Sequence, residues 1–284
     1  METTSQWVEL QPGNRKYVYR WSTDDLPWAH VGIVHGLGEH GGRYHPLAES
    51  LVKAGITVSA FDQQGHGRSP EPRGRVRSYS SLLDDSAAFL AWCIAQTPSV
   101  PTVLFGHSMG GNLVINHALR DYPQPSRAIA SSPMIRLTAP PSRTFLTMAR
   151  MVARFFPNFT LRSKIVAEHL MNDPGEQQML RDDELFHSQL TLRLGAGLFD
   201  SGPWAIEHAG RLRTSLLLTH GTRDFRTSHK ASAEFAQRAG SRCRLELLEG
   251  ELHDPFRGLQ RERVVATFVD FIREAMATEH MSDH

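Results

Sequence analysis

Short apolar, β-rich runs recur along this chain with helical patterns between most of them, and that alternation restricts the fold more than any other feature. The runs are "HVGIVHG" (30–36), "ITVSAFD" (56–62), "PTVLFG" (101–106), "RAIASS" (127–132), "TSLLLTHG" (214–221) and "CRLELLEG" (243–250). Continuous apolar character suits a strand covered by helices on both faces, as in a parallel sheet. Helical patterns occupy 45–55, 79–97, 109–123 and 260–277; in 79–97, Leu82, Ala87, Leu90, Trp92 and Ile94 make a broad apolar face. Two early runs, "QWVELQPG" and "KYVYRW", alternate like an antiparallel hairpin at a sheet edge. Together these predict an α/β fold with a mostly parallel, doubly wound sheet.

One interval breaks the rhythm. Residues 134–205 contain no convincing strand and read as helices separated by Pro and Gly. So long a stretch is not a structureless loop. The expected organisation is a core built from 1–133 and 206–284, with 134–205 forming a helical cap over the C-terminal ends of the strands, where open α/β sheets place their sites. The polar tail "MATEHMSDH" (276–284) is expected to fray.

Within "LFGHSMGGN" (104–112), Ser108 sits in G-x-S-x-G where a strand hands over to a helix. A sharp turn there leaves no space for flanking side chains, hence the glycines, and it thrusts the serine Oγ clear of the sheet. A serine hydroxyl needs a base, and the base an orienting acid. Asp224 in "LLLTHGTRDFRT" and His253 in "LELLEGELHDPF" each follow a later strand by three or four residues, so both should project at the same sheet edge as Ser108. The blander alternatives are a helix N-cap for Asp224 and a surface-loop imidazole for His253. Rivals are worse placed. His229 belongs to the helix after Asp224, His220 falls inside a strand, Asp254 cannot orient the ring if its side chain diverges, and Asp200 lies in the insertion. Oxyanion donors are expected at the Met109 N–H, on a helix N-terminus, and at the Leu37 N–H in the glycine-rich "HGLGEH" (35–40).

The segments "HGLGEHGGRY" (35–44), "FDQQGHGRS" (61–69) and "GHSMGG" (106–111) resemble the monoacylglycerol lipase and lysophospholipase group of α/β-hydrolases. The likeness covers about 28–132 and resumes around Asp224 and His253. It implies a serine esterase acting on a single acyl chain, most of all a monoacylglycerol, with a helical cap over the site. It maps the two oxyanion donors onto Leu37 and Met109. Lysophospholipase, thioesterase or acyltransferase activity would use the same three residues, and a non-catalytic ligand-binding module on this fold is the rival from another class. In 143–161, Met148, Met151, Phe155 and Phe156 share one helical face with Phe145 and Val152. That stripe is either buried core or the wall of an acyl entrance, and the entrance is the expectation adopted for those four residues.

Charge sets further bounds. Lys plus Arg is 31 against 30 for Asp plus Glu, so no net field selects nucleic acid as a partner. The arginines of "RSPEPRGRVR" (68–77) sit in a Pro- and Gly-rich solvated loop. His35, His40 and His45 are separated by glycines that break any aligning helix, so neither a metal nor a cofactor is expected. The start "METTSQWVEL" lacks a secretory pattern, no run is long enough to span a membrane, and the cysteines number two. These point to a cytoplasmic protein, and the resemblance implies a small lipid-like ester as substrate, with transient contact of the cap with a membrane surface.

Overall fold

The computed structural model of the protein describes residues 1–279. The core elements in chain order are β1 (Glu2–Gln11), β2 (Asn14–Ser22), β3 (Ala29–Val34), α1 (His45–Lys53), β4 (Ile56–Phe61), α2 (Tyr79–Gln96), β5 (Thr102–His107), α3 (Met109–Ala118) and β6 (Arg127–Ser131). Between β6 and β9 stand α4 (Arg143–Phe155), β7 (Thr160–Arg162), α5 (Pro174–Arg181), β8 (Gln189–Thr191) and α6 (Leu192–Glu207). The core resumes with β9 (Leu216–Gly221), α7 (His229–Ala239), β10 (Cys243–Leu248) and α8 (Arg261–Glu279). The first residues of the expected fraying tail continue α8, and 280–284 lie outside the described residues.

Eight strands form one sheet in the order β1-β2-β4-β3-β5-β6-β9-β10. The β1–β2 and β2–β4 pairs are antiparallel, as an edge hairpin requires, and every later pair is parallel. β3, β4, β5 and β9 are buried at every residue, which accounts for their unbroken apolar runs. Successive side chains go to opposite faces. Val103 and Phe105 join the layer under α1 and α8, whereas Leu104 joins the layer with Leu82, Leu113 and Phe235 from α2, α3 and α7. Among the described residues no helix is long and apolar enough to cross a membrane.

The insertion differs from its reading as helices alone. β7 and β8 pair antiparallel over three residues each, too short to leave a periodic signal. Pro203 does not end a helix either: α6 runs through it to Glu207. α6 seats on α3, with Ser201 Oγ 3.0 Å from Asn112 Oδ1 and the Arg120 guanidinium over the Trp204 ring at 3.7 Å.

Candidate active site

The turn between β5 and α3 holds Ser108 at φ 53°, ψ −112°, a left-handed conformation that non-glycine residues rarely adopt. It is held by Ser108 N–H donating to Ser131 O at 3.0 Å, and by Ser108 O accepting from Asn112 N at 3.0 Å and Met134 N at 2.9 Å. A Cβ at Gly106 would overlap the Gly110 carbonyl, and one at Gly110 would overlap the Val34 carbonyl. Gly106 and Gly110 are therefore required by close backbone approach across the elbow.

Asp224 lies in the loop after β9. Its Oδ1 accepts from Arg226 N at 2.6 Å and Thr227 N at 3.0 Å, and its Oδ2 accepts from Thr227 Oγ1 at 2.7 Å. It does not cap the following helix; Ser228 does. His253, after β10, places Nδ1 2.7 Å from Asp224 Oδ2 and Nε2 3.0 Å from Ser108 Oγ. The three expected residues thus come together from three strand ends in one hydrogen-bonded chain. With Asp224 ionised, Nδ1–H donates to the carboxylate, which leaves Nε2 to accept from the serine hydroxyl.

Burial opposes charge on both partners, but each outweighs it for the other. Asp224 is held well below the carboxylate range because the His253 charge and hydrogen bonds from His220 and His253 overcome its desolvation. Burial pulls His253 down, yet the Asp224 carboxylate, together with Asp254, leaves it raised above an ordinary imidazole. His220, set aside as a rival base, has a supporting place instead. Its Nε2 is 3.1 Å from Asp224 Oδ2 and its Nδ1 2.8 Å from Ser232 Oγ, and burial lowers its pKa. Only its position four residues before Asp224, at the end of the same strand, hinted at this.

Asp254 does diverge from the His253 ring: its Oδ1 lies 2.9 Å from His107 Nε2. His107, His253 and Asp254 bring potential metal ligands within 4.8 Å of one another, and both ring nitrogens of His253 are taken by Asp224 and Ser108. The His35, His40 and His45 rings go to separate partners: Gln63, Asp183 and Trp21 respectively.

Ser108 and His253 open into a cavity of about 250 Å³. Leu37 and Met109 both line it, in the loop after β3 and at the first position of α3, where a helix leaves its amides unpartnered. The insertion supplies Ile165, Phe186, Leu190, Leu198 and Phe199 to its wall. Met148, Met151, Phe155 and Phe156 are not part of it, which corrects the expectation that they wall the acyl entrance. They are 62%, 64%, 73% and 65% exposed. The helix turns its smaller Leu146 and Ala149 toward α6, and Arg150 is paired there with Asp200, so the large apolar side chains point outward. The residues that do line the cavity were unremarkable in sequence. Leu190 stands in a three-residue strand, and Leu198 and Phe199 stand in a glycine-punctuated helix.

An abhydrolase domain-containing protein of Dictyostelium discoideum is 31% identical over 257 residues, or 89% of this chain. A monoacylglycerol lipase of Mycolicibacterium smegmatis is 27% identical, with 92% of this chain and 94% of that protein covered. The crystal structure of Paleococcus ferrophilus monoacylglycerol lipase superposes with a TM-score of 0.81 at 28% identity, covering 92% of this chain and 99% of that one. The chain spans only 27% of the Dictyostelium relative and 62% of a Schizosaccharomyces pombe relative. Residues 26–260 match Hydrolase_4, the family described as serine aminopeptidase, S33, and the chain belongs to that family of α/β-hydrolases.

Proposed function

We propose that this protein is a serine carboxyl-ester hydrolase that cleaves a lipid ester of one acyl chain, most of all a monoacylglycerol, through an acyl-enzyme. The observation that carries this reading is the Asp224–His253–Ser108 chain, with steps of 2.7 and 3.0 Å, opening on an apolar cavity. Ser108 Oγ attacks the carbonyl carbon as its proton passes to His253 Nε2, and Asp224 stabilises the resulting imidazolium. The Leu37 and Met109 N–H groups bind the oxyanion. His253 then protonates the departing alcohol, activates a water, and the acid leaves. No cofactor enters. Residues 134–205 act as the cap, and its similarity to monoacylglycerol lipases supports a glycerol ester as substrate.

The family description raises a second substrate, a peptide with a free α-ammonium. The carboxylates lining the cavity are poorly placed to receive one. Glu39 is engaged by Gly36 N–H, Tyr44 and Arg43, and Asp254 Oδ1 is turned to 2.9 Å from His107 Nε2. A neutral ester is the better fit. The outward apolar face of α4 supports transient docking on a lipid surface, and the unpaired Cys93 and Cys243 accord with a cytoplasmic setting.

The test is to assay p-nitrophenyl esters of graded chain length beside monoacylglycerols, lysophospholipids, acyl thioesters and aminoacyl amides, with fluorophosphonate labelling of Ser108. Turnover of monoacylglycerol above the others, lost with Ser108→Ala, is expected. Preference for aminoacyl amides, or undiminished labelling of the Ala variant, would overturn the reading.

A further inference from the structure

The residue just before the nucleophile and the residue just after the base are joined to each other. His107 ends β5 and Asp254 follows His253, and their side chains meet at 2.9 Å with each residue only 2% exposed. Neither is free to turn. His107 Nδ1 lies 3.1 Å from Ser131 O at the end of β6, and its ring meets Phe256 edge-on at 5.1 Å and His253 at 4.8 Å. Asp254 N–H donates to Leu170 O at 2.7 Å, and the Arg257 Nε lies 4.0 Å from its other carboxylate oxygen.

We infer that His107 and Asp254 are positioning residues: their 2.9 Å contact fixes the distance from Ser108 Oγ to His253 Nε2 and keeps Asp254 from competing with Asp224 for the His253 ring. The inference rests on the proposed roles of Ser108, His253 and Asp224. Two considerations support it beyond proximity. A buried polar pair is a poor stabiliser, because apolar side chains of the same shape would avoid its desolvation cost. The pair also joins a strand end and a loop far apart in sequence, at a place where a small shift separates nucleophile from base. The second role follows from chemistry. Two carboxylates stand near one imidazole, and a ring that turned to Asp254 would present the wrong nitrogen to Ser108. With Asp254 Oδ1 turned to 2.9 Å from His107 Nε2, Asp224 is left as the partner of Nδ1.

The groups facing His253 are Asp224 and Arg226 from the β9–α7 loop, His220 from β9, His107 from β5 and Asp254 from its own loop. Removing the Asp254 charge takes away one of the two carboxylates that raise the His253 pKa. The acid limb of the pH profile therefore moves to lower pH in Asp254→Asn.

The experiment compares wild type, His107→Gln, Asp254→Asn, the double variant and Ser108→Ala on a butyrate ester, with kcat normalised to sites titrated to completion by a fluorophosphonate. Each single change is expected to lower kcat per titrated site about ten- to a hundredfold with KM nearly unchanged, and the double change no further. Asp254→Asn should also show the downward pH shift. A kcat per site within about twofold of wild type and an unmoved pH profile, with losses only in melting temperature or active fraction, would make the pair structural and overturn the inference. Failure of all three variants to yield titratable sites overturns it equally, since stability then accounts for the pair. Ser108→Ala separates the two levels of claim. If it still turns over, the catalytic assignment falls; if it is dead while Asp254→Asn behaves as wild type, only the positioning role falls.

Discussion

Three side chains from three strand ends carry the proposed chemistry, so substitutions at them should behave as one lesion. Ser108→Ala is expected to lower kcat by roughly three to six orders of magnitude with the fold intact, and His253→Ala nearly as much; the double variant should be scarcely worse. Asp224→Asn should cost about a thousandfold or more, because the ring loses its orienting charge while keeping a neighbour of the same shape. Steady-state kinetics with circular dichroism of each variant checks all of these. Activity should rise with pH as His253 loses its proton, since only the neutral ring accepts one from serine. Its raised pKa puts that rise above the ordinary imidazole value, and a midpoint below it would contradict the Asp224 contact. At this scale much was readable in advance. Ser108, Asp224 and His253 each follow an apolar run by a short, countable interval, and parallel strands deliver such positions to one edge. His220, His107 and Asp254 were not, because their partners are fixed by side-chain direction rather than by spacing.

At the scale of elements, the strands were legible because burial on both faces writes an unbroken apolar run, and the elbow because two carbonyls exclude a Cβ at Gly106 and Gly110. α4 was legible as a helix and illegible in orientation. An apolar stripe records that a face avoids water, but not what lies opposite, and here the core-facing side is the one with Leu146 and Ala149. α6, rather than the apolar stripe of α4, borders the cavity. Leu190 and Phe199 stand between the main cavity and a smaller apolar pocket of about 50 Å³ lined by α4 and α6. Phe199→Ala should join the two and shift preference toward longer esters. The gain expected is up to about fourfold in kcat/KM for each methylene newly buried, at about 0.8 kcal/mol per methylene. A chain-length series from butyrate to dodecanoate measures it, and an unchanged slope would leave the pocket outside the substrate path.

For the whole molecule, the proposed docking of the exposed α4 face on lipid would bring substrate in from that side. The double change Met151→Ser with Phe155→Ser should leave the melting temperature and soluble-ester turnover as they are, because neither side chain touches the core or the cavity. Co-sedimentation with phosphatidylcholine–phosphatidylglycerol vesicles should fall, and hydrolysis of vesicle-borne monoacylglycerol with it. Unaltered sedimentation, or a lowered melting point, would show that the face has another use. The route of the chain through the sheet has its own consequence. The insertion leaves from the end of β6 and returns to the start of β9, and those two strands are hydrogen-bonded neighbours. The pair is parallel, so the two attachment points lie at its opposite ends, Ser131 opposite Thr219 and Leu216 opposite Ala128, and the sheet fixes the separation between them. Nucleophile, acid and base all sit outside that excursion. A replacement insertion from a relative could be spliced at the same two points without changing the strand register, and the choice of substrate would travel with the transplanted piece while the bond-breaking apparatus stayed behind.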